Sequence, residues 1–327
     1  MLKTWFKGET NHVTKHPTDW LRSYCYCDAC LNHDITSRDV ISVHNQEVEL
    51  HVVDYNAIEG NENTVQFKIL KHLIESGICM IKNVPTVPEQ ILKVASMFGP
   101  VRSTLYGKGY DLGGDQGENR AFTTSELPFH QDSPYYETKP GAQLLHALRF
   151  DSCVTGGESL IIDMFRSAET LRRESPEHFR TLCEVPATFE TIDLKRNEPC
   201  YLEHQKTHFA VDYFDKLVGV NWSPDHVLVP RIRSEDVNRY YAACRAFAKV
   251  LERKEGMLKF RLTTGDLIIF NNCRVAHGRT AIQSCGGKRH LQGTYVNMND
   301  VKSKYMVLAN KLGLNVTPPK VGNNSSF

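Results

Sequence analysis

The chain has 327 residues, with 39 Lys and Arg against 38 Asp and Glu and a formal charge of +1. A balance so close to zero provides no bulk field to gather nucleic acid or an anionic membrane surface, and neither partner is expected. The longest apolar runs, such as Leu267–Phe270 and Leu160–Ile162, are strand-sized rather than membrane-spanning. The opening MLKTWFKGETNH lacks the apolar core of a secretory signal, and ten cysteines with only three clustered are not a disulfide framework. A reducing, cytoplasmic compartment is the expectation.

Residues 1–52 form a distinct Cys-rich segment that holds Cys25, Cys27 and Cys30 and lacks a strong apolar period. From residue 53 to residue 327 the pattern is that of one ordered domain. Val65, Ile69 and Leu73 recur at helical spacing, Gly77 can end that helix, and Ile78–Ile81 reads as a short strand. Pro88 opens a second helix with Ile91, Val94, Ala95 and Phe98 inward, closed by Gly99-Pro100. Beyond Phe129 strands dominate: Gln143–Leu148, Ser159–Asp163, Val218–Trp222, Asp266–Phe270 and His290–Val296. Helical patterns cover Ala168–Arg180 and a longer stretch from the N-cap candidate Ser234 to about Glu255. The fold expected is mainly β with helical insertions, a double-stranded β-helix (jelly roll) preceded by a short Cys-rich N-terminal segment.

The only His-x-Asp is His130-Gln131-Asp132, and far downstream comes Ala276-His277-Gly278-Arg279. Two imidazoles and one carboxylate on one face of a metal suit non-heme Fe(II), because three coordination positions stay open. Alternation along Phe129–Asp132 sends His130 and Asp132 to the same side, so both can reach one ion. Arg289 lies twelve residues past His277, on the lead into a strand. Its planar fork is the group that holds the far carboxylate of a dicarboxylate cosubstrate, with Arg279 as the rival.

Several stretches in this order resemble one family: FHQDSPYYETKPGAQLLHAL, VTGGESLIIDMF, GDLIIFNNCRVAHGRTAI and KRHLQGTYVN, with a weaker match at DWLRSYCYCDAC. They are similar to the Fe(II)/2-oxoglutarate oxygenases of the taurine-dioxygenase superfamily, and within it to the γ-butyrobetaine dioxygenase family, with the trimethyllysine dioxygenases as near relatives. The resemblance implies iron held by His130, Asp132 and His277, and 2-oxoglutarate clamped by Arg289 with a contact from Leu145. It matches Asn119 to a polar active-site residue, and it implies ascorbate as reductant and a homodimer. Trimethyllysine dioxygenase, or an oxygenase of another trimethylammonium compound, is the alternative; a catalytically silent binding relative is the third.

A trimethylammonium group donates no hydrogen bond, so aromatic faces must hold it. The resemblance implies a cage of Tyr106, Tyr110, Phe122 and Tyr295, where the family carries tryptophan at the Tyr110 position and tyrosine at that of Phe122. Asn221 and Ser223 are candidates for the substrate's carboxylate. Cys25, Cys27 and Cys30 fall within six positions, compact enough to share one tetrahedral zinc. The relatives hold a zinc at such a motif with a histidine as fourth ligand. The N-terminal segment here is shorter than theirs, leaving His33, His44 or His51 for that role.

Overall fold

A computed structural model of the chain describes residues 1–316 apart from 6, 9–11, 32–47, 59–60 and 114–122. The fold is mixed α/β. Its packing divides into two compact units, Met1–Ile41 and Ser42–Phe327.

In the first unit β1 (Leu2–Trp5) pairs antiparallel with β2 (Val13–His16), Leu2 lying opposite His16. The helix α1 (Thr18–Ser23) follows. The rings of His16 at the end of β2, Trp20 of α1 and Tyr24 at the end of α1 follow one another, with centroids 5.6 and 4.8 Å apart.

The second unit opens with β3 (His51–Asp54), α2 (Glu62–Glu75), β4 (Ile78–Lys82) and α3 (Gln90–Ser96). Gly77, at φ +79°, makes the left-handed turn that lets α2 stop and β4 start at once. Pro88 does not begin α3: Glu89 sits at φ 61° with its N–H donated to Gln292 Oε1 at 3.1 Å, and the helix starts one residue later. Next come β5 (Tyr110–Leu112), β6 (Leu127–His130), β7 (Ala142–Phe150), β8 (Thr155–Gly156) and β9 (Ser159–Asp163). The helix expected over Ala168–Arg180 is two, α4 (Met164–Glu174) and α5 (Pro176–Glu184). Pro176 lacks the N–H needed to continue α4, yet its fixed φ suits a first helical turn.

The chain continues through β10 (Pro186–Asp193), β11 (Cys200–Thr207), β12 (Phe209–Val211), β13 (Leu217–Val220) and α6 (Ser234–Glu252). Ser234 is the first residue of α6 rather than its cap; Arg233 stands before it and makes no side-chain cap. The last elements are β14 (Leu258–Phe260), β15 (Leu267–Asn271), β16 (Val275–Arg279), β17 (Ile282–Gln283), β18 (Arg289–Val296) and α7 (Met298–Lys311).

Two sheets carry the architecture. One has the order β3-β4-β15-β7-β18-β5, the other β14-β9-β16-β6. Every pairing in them is antiparallel except that of β3 with β4. Met80, Leu145, Phe150, Ile161, Ile268, Phe270 and Leu291 from facing strands form one buried cluster with Val275. On the larger sheet's strand β4, Cys79 and Ile81 are fully buried, and so are Ile69, Leu70 and Leu73 of α2 and Ile91 and Val94 of α3. The Phe67 ring of α2 stacks on Tyr305 of α7 at 5.0 Å.

A buried ion pair ties several of these ends together. Arg274 donates through Nε and Nη2 to Asp163 Oδ2 at 3.0 and 2.8 Å, and through Nη1 to the Ile74 and Glu75 carbonyls that end α2. Asp163 Oδ1 caps α4 by accepting from the Phe165 and Arg166 amides. The two side chains are 6% and 8% exposed, so removing one leaves a buried, uncompensated charge. Asp163→Ala is therefore expected to lower the unfolding free energy by about 3–5 kcal/mol, read from denaturant titration.

Candidate active site

Sheet register builds the site. β16 runs antiparallel to β6 with His277 directly opposite His130, so the two rings meet with centroids 4.3 Å apart. β6 ends at His130, and Asp132 lies just beyond it. The expected side-by-side arrangement is nevertheless present: Asp132 Oδ1 is 3.3 Å from His130 Nε2 and 3.7 Å from His277 Nε2. One ligand atom from each residue falls within 4.8 Å of the others, a spacing that can hold one metal ion. His130 directs its Nδ1 to the Pro128 carbonyl at 2.8 Å, which fixes the ring and leaves Nε2 as the donor toward the centre.

Charge also suits a cation. Burial, reinforced by His130, pushes the His277 imidazole down to about 3, so it is neutral with a lone pair to offer. Burial alone would raise Asp132, but the His277 and His130 rings and the Tyr295 hydroxyl outweigh it and hold the carboxyl below its ordinary range. His130 goes the other way: burial would lower it, but Asp132 and the Pro128 carbonyl outweigh that and raise it. A metal taking its Nε2 must therefore displace a proton to complete a set of two imidazoles and an ionised carboxylate.

What replaces a strand in holding Asp132 was not evident from the sequence. Asn272 Oδ1 accepts from the Asp132 amide at 2.7 Å, and its Nδ2 donates to the Asp132 and Pro140 carbonyls at 3.0 and 2.9 Å. Gln131, between the two ligands, is fully buried and bonded at its backbone N–H and at both side-chain polar atoms. Its amide N–H donates to the Trp222 carbonyl at 2.7 Å and Nε2 to the Asn272 carbonyl at 2.8 Å. Its Oε1 accepts from the Trp222 amide at 3.2 Å and from Lys139 Nζ at 3.1 Å. Burial depresses that Lys139 ammonium to about 8. Two successive asparagines at the end of β15 were the available signal: such residues leave a strand to bond backbone.

Three arginines lie near one another. Arg279 donates Nη2 to the Thr123 and Ser125 carbonyls at 2.6 and 2.7 Å, and Arg261 donates to the Gly156 and Val154 carbonyls. The Arg289 side chain makes no hydrogen bond or ion pair with a described residue, and its buried Nε has no partner. Burial, with the nearby Arg279 and Arg261 charges, lowers it to about 9. Its guanidinium faces Phe150, 5.4 Å from the ring centroid, in the register pair Arg289–Phe150 of β18 and β7. A buried cation with no counter-charge is a cradle for an anion. Leu145, on β7, belongs to the same buried cluster as Phe150 and Leu291.

Of the four aromatics expected to form a cage, the three among the described residues come together. The rings of Tyr106 and Tyr110 are 5.7 Å apart, and Tyr110 stacks on Tyr295 at 5.5 Å. Tyr110 lies across Gly293 of β18, where an added Cβ would strike its ring. The Tyr295 hydroxyl donates to Asp132 Oδ2 at 2.6 Å, so this wall of rings adjoins the triad. Asn119 and Phe122 lie outside the described residues. Asn221 donates Nδ2 to the Thr207 carbonyl at 2.9 Å, whereas the buried Ser223 Oγ has no partner.

The sequence of the taurine catabolism dioxygenase TauD, TfdA family matches residues 34–295. The chain belongs to this family. The family is one of 2-oxoglutarate-dependent non-heme iron dioxygenases. The γ-butyrobetaine dioxygenase of Pseudomonas sp. (strain AK-1) is 29% identical over 306 residues, which are 92% of this chain and 77% of that protein. The trimethyllysine dioxygenase of Meyerozyma guilliermondii is 29% identical over 290 residues, 84% of this chain and 69% of that one. Among solved structures, PvcB of Pseudomonas aeruginosa superposes with a TM-score of 0.53 at 18% identity, over 77% of this chain and 87% of that chain. At that identity the likeness is one of fold.

In the first unit the thiols of Cys25, Cys27 and Cys30 gather within 4.8 Å, with Cys25 Sγ 3.4 Å from Cys27 Sγ. Hydrogen bonds from Cys30 lower Cys27, while Cys30, bonded to Cys27 and Cys25, is pushed up to about 11. Of the histidines considered as a fourth ligand, His33 and His44 lie outside the described residues, and His51 stacks on His72 at 3.8 Å. No helix among the described residues is long and apolar enough to cross a membrane.

Asn272→Ala removes the hydrogen bonds that seat Asp132. It is expected to cost about 1–3 kcal/mol of stability and to weaken Co(II) binding roughly tenfold, read by thermal melting and by metal titration.

Proposed function

We propose that this TauD-family dioxygenase hydroxylates γ-butyrobetaine to L-carnitine on a double-stranded β-helix scaffold. The observation that carries the reading is the contiguous wall of Tyr106, Tyr110 and Tyr295 ending at Asp132. Faces of this kind attract a quaternary ammonium by roughly 0.5–2 kcal/mol per ring, according to desolvation. Phe122 completes the cage and Asn119 adds a polar contact in this proposal.

His130, Asp132 and His277 hold Fe(II), and Arg289 takes the distal carboxylate of 2-oxoglutarate, with Leu145 packing against the same cosubstrate. Arg289 is preferred over Arg279 because the Arg279 head is spent on two carbonyls, whereas no described residue hydrogen-bonds or ion-pairs with the Arg289 head. Bound there, iron and 2-oxoglutarate supply the activation of O2 that hydroxylates an unactivated C–H bond. The chain's own residues set geometry: the rings fix the ammonium end and so decide which carbon faces the triad. Ascorbate serves as reductant in the assay.

Trimethyllysine is the second reading, favoured by the comparable identity to a trimethyllysine dioxygenase. It needs the same cage and a partner for an α-amino acid head. Zinc on Cys25, Cys27 and Cys30 is part of the proposal, as is a homodimer. Ten free thiols fit a reducing compartment such as the cytoplasm.

Purified protein given Fe(II), 2-oxoglutarate and ascorbate with either substrate is expected to form carnitine from γ-butyrobetaine, detected by mass spectrometry. Hydroxytrimethyllysine without carnitine moves the substrate to the second reading; silence with both from folded, iron-loaded protein rejects both. His130→Ala is expected to abolish turnover. Arg289→Ala should raise the KM for 2-oxoglutarate on the order of a hundredfold, the loss of a charge-assisted pair worth about 3 kcal/mol. Phe122→Ala should mainly raise the KM for the betaine.

A further inference from the structure

Asp132 has two oxygens with different surroundings. Oδ1 faces both histidine Nε2 atoms, and Oδ2 accepts the Tyr295 hydroxyl at 2.6 Å. Tyr295 in turn accepts from the Tyr110 hydroxyl at 3.0 Å, which accepts from Gln143 Nε2 at 2.9 Å. The sense of this chain follows by elimination. An ionised carboxylate only accepts, so Tyr295 spends its hydrogen on Asp132; Tyr110 must then donate to Tyr295, and only the amide of Gln143 is left to donate to Tyr110. Bonds aligned head to tail polarise one another, so the last of them is strengthened by those behind it. Gln143 and Tyr295 are each 2% exposed, so water is kept from competing.

We propose that Tyr295 is a positioning residue for the metal-binding carboxylate, and that the chain Gln143–Tyr110–Tyr295–Asp132 ties the aromatic cage to the metal centre. This rests on the assignment of Asp132 as a metal ligand and of Tyr110 and Tyr295 as cage walls. With Oδ2 held by a phenol, Asp132 presents Oδ1 alone. The protein then contributes three donor atoms, and the positions required by cosubstrate and oxygen stay free. Without the phenol the carboxylate is free to turn and offer both oxygens, which consumes one of those positions.

The same side chain therefore has two separable parts: a ring that walls the cage and a hydroxyl that seats the ligand. Tyr295→Phe keeps the first and deletes the second. Co(II), whose visible absorption reports ligand number and geometry, is the metal probe, and tetramethylammonium is the probe of the cage. In Tyr295→Phe the Co(II) Kd is expected to rise roughly tenfold with a changed visible band, the usual size of an outer-shell loss. The tetramethylammonium Kd, measured calorimetrically, should stay within about twofold because the aromatic face remains. Tyr110→Phe, which leaves the Tyr295–Asp132 bond but removes its upstream donor, should give a Co(II) defect of the same sign and smaller size.

Wild-type Co(II) affinity and band shape in Tyr295→Phe would overturn the proposal. So would joint loss of Co(II) and tetramethylammonium binding, since that marks a displaced ring rather than a missing hydroxyl. If the wild-type protein binds no tetramethylammonium while Tyr295→Phe still shows the Co(II) defect, the cage reading falls and the positioning of Asp132 stands.

Discussion

The pairing of β16 with β6 is the constraint on which the site depends. A one-residue slip would send His277 to the opposite face of its sheet and remove it from the triad. The register is fixed on both sides: β16 also pairs with β9, where His277 opposes Ile161 and Ala276 opposes Ile162. Ile161 and Val275 are buried in the cluster between the sheets, so a slip would also turn apolar side chains toward water. Hydrophobic burial thereby holds a polar constellation in place. Gly278 contributes by having no side chain, for a Cβ there would lie 2.8 Å from the Leu127 carbonyl of β6.

Asp132 depends on a different mechanism, because the ladder has already ended where it sits. Its place is set by side chains acting as substitute backbone. Asn272 reaches both its amide and its carbonyl, and Gln131 fastens the segment to Trp222. Such a buried polar network is useful only when complete, since each missing partner would leave a desolvated group at a cost of about 1–3 kcal/mol. Lys139 completes it by donating to Gln131 Oε1 and to the Val220 carbonyl. Burial that lowers the lysine also makes these two acceptors matter more.

Much of this was legible in the sequence, and for identifiable reasons. The His-x-Asp is a local pattern whose alternation predicts a shared face, whereas His277 and Arg289, far downstream, were singled out by residue type and by the family resemblance. Strands such as β9, with continuous apolar runs, were readable because they are buried on both sides. Boundaries failed where tertiary contacts outrank local preference. Gln292 pulls Glu89 into a left-handed turn, and Ser175-Pro176 breaks one apolar stripe into α4 and α5. The support for Asp132 was not legible in full: Asn271-Asn272 marks a strand end that bonds backbone, but the segment it bonds is 140 residues away and nothing in the spacing names it. The link from Tyr295 to Asp132 spans 163 residues and is invisible for the same reason.

The arginines show how environment separates chemically identical side chains. Arg261, Arg279 and Arg289 lie near one another, and like charges in a desolvated pocket repel. Two of them are compensated by backbone carbonyls, whose dipoles offset part of that cost without fully neutralising it. Arg289 lacks even this, and its guanidinium rests over the Phe150 face that Arg261 approaches at 4.1 Å. An arrangement so costly in isolation is held in place by the cluster around Phe150. If Arg289 is the clamp proposed above, part of the binding energy for a dianionic cosubstrate is relief of repulsion already built into the folded chain.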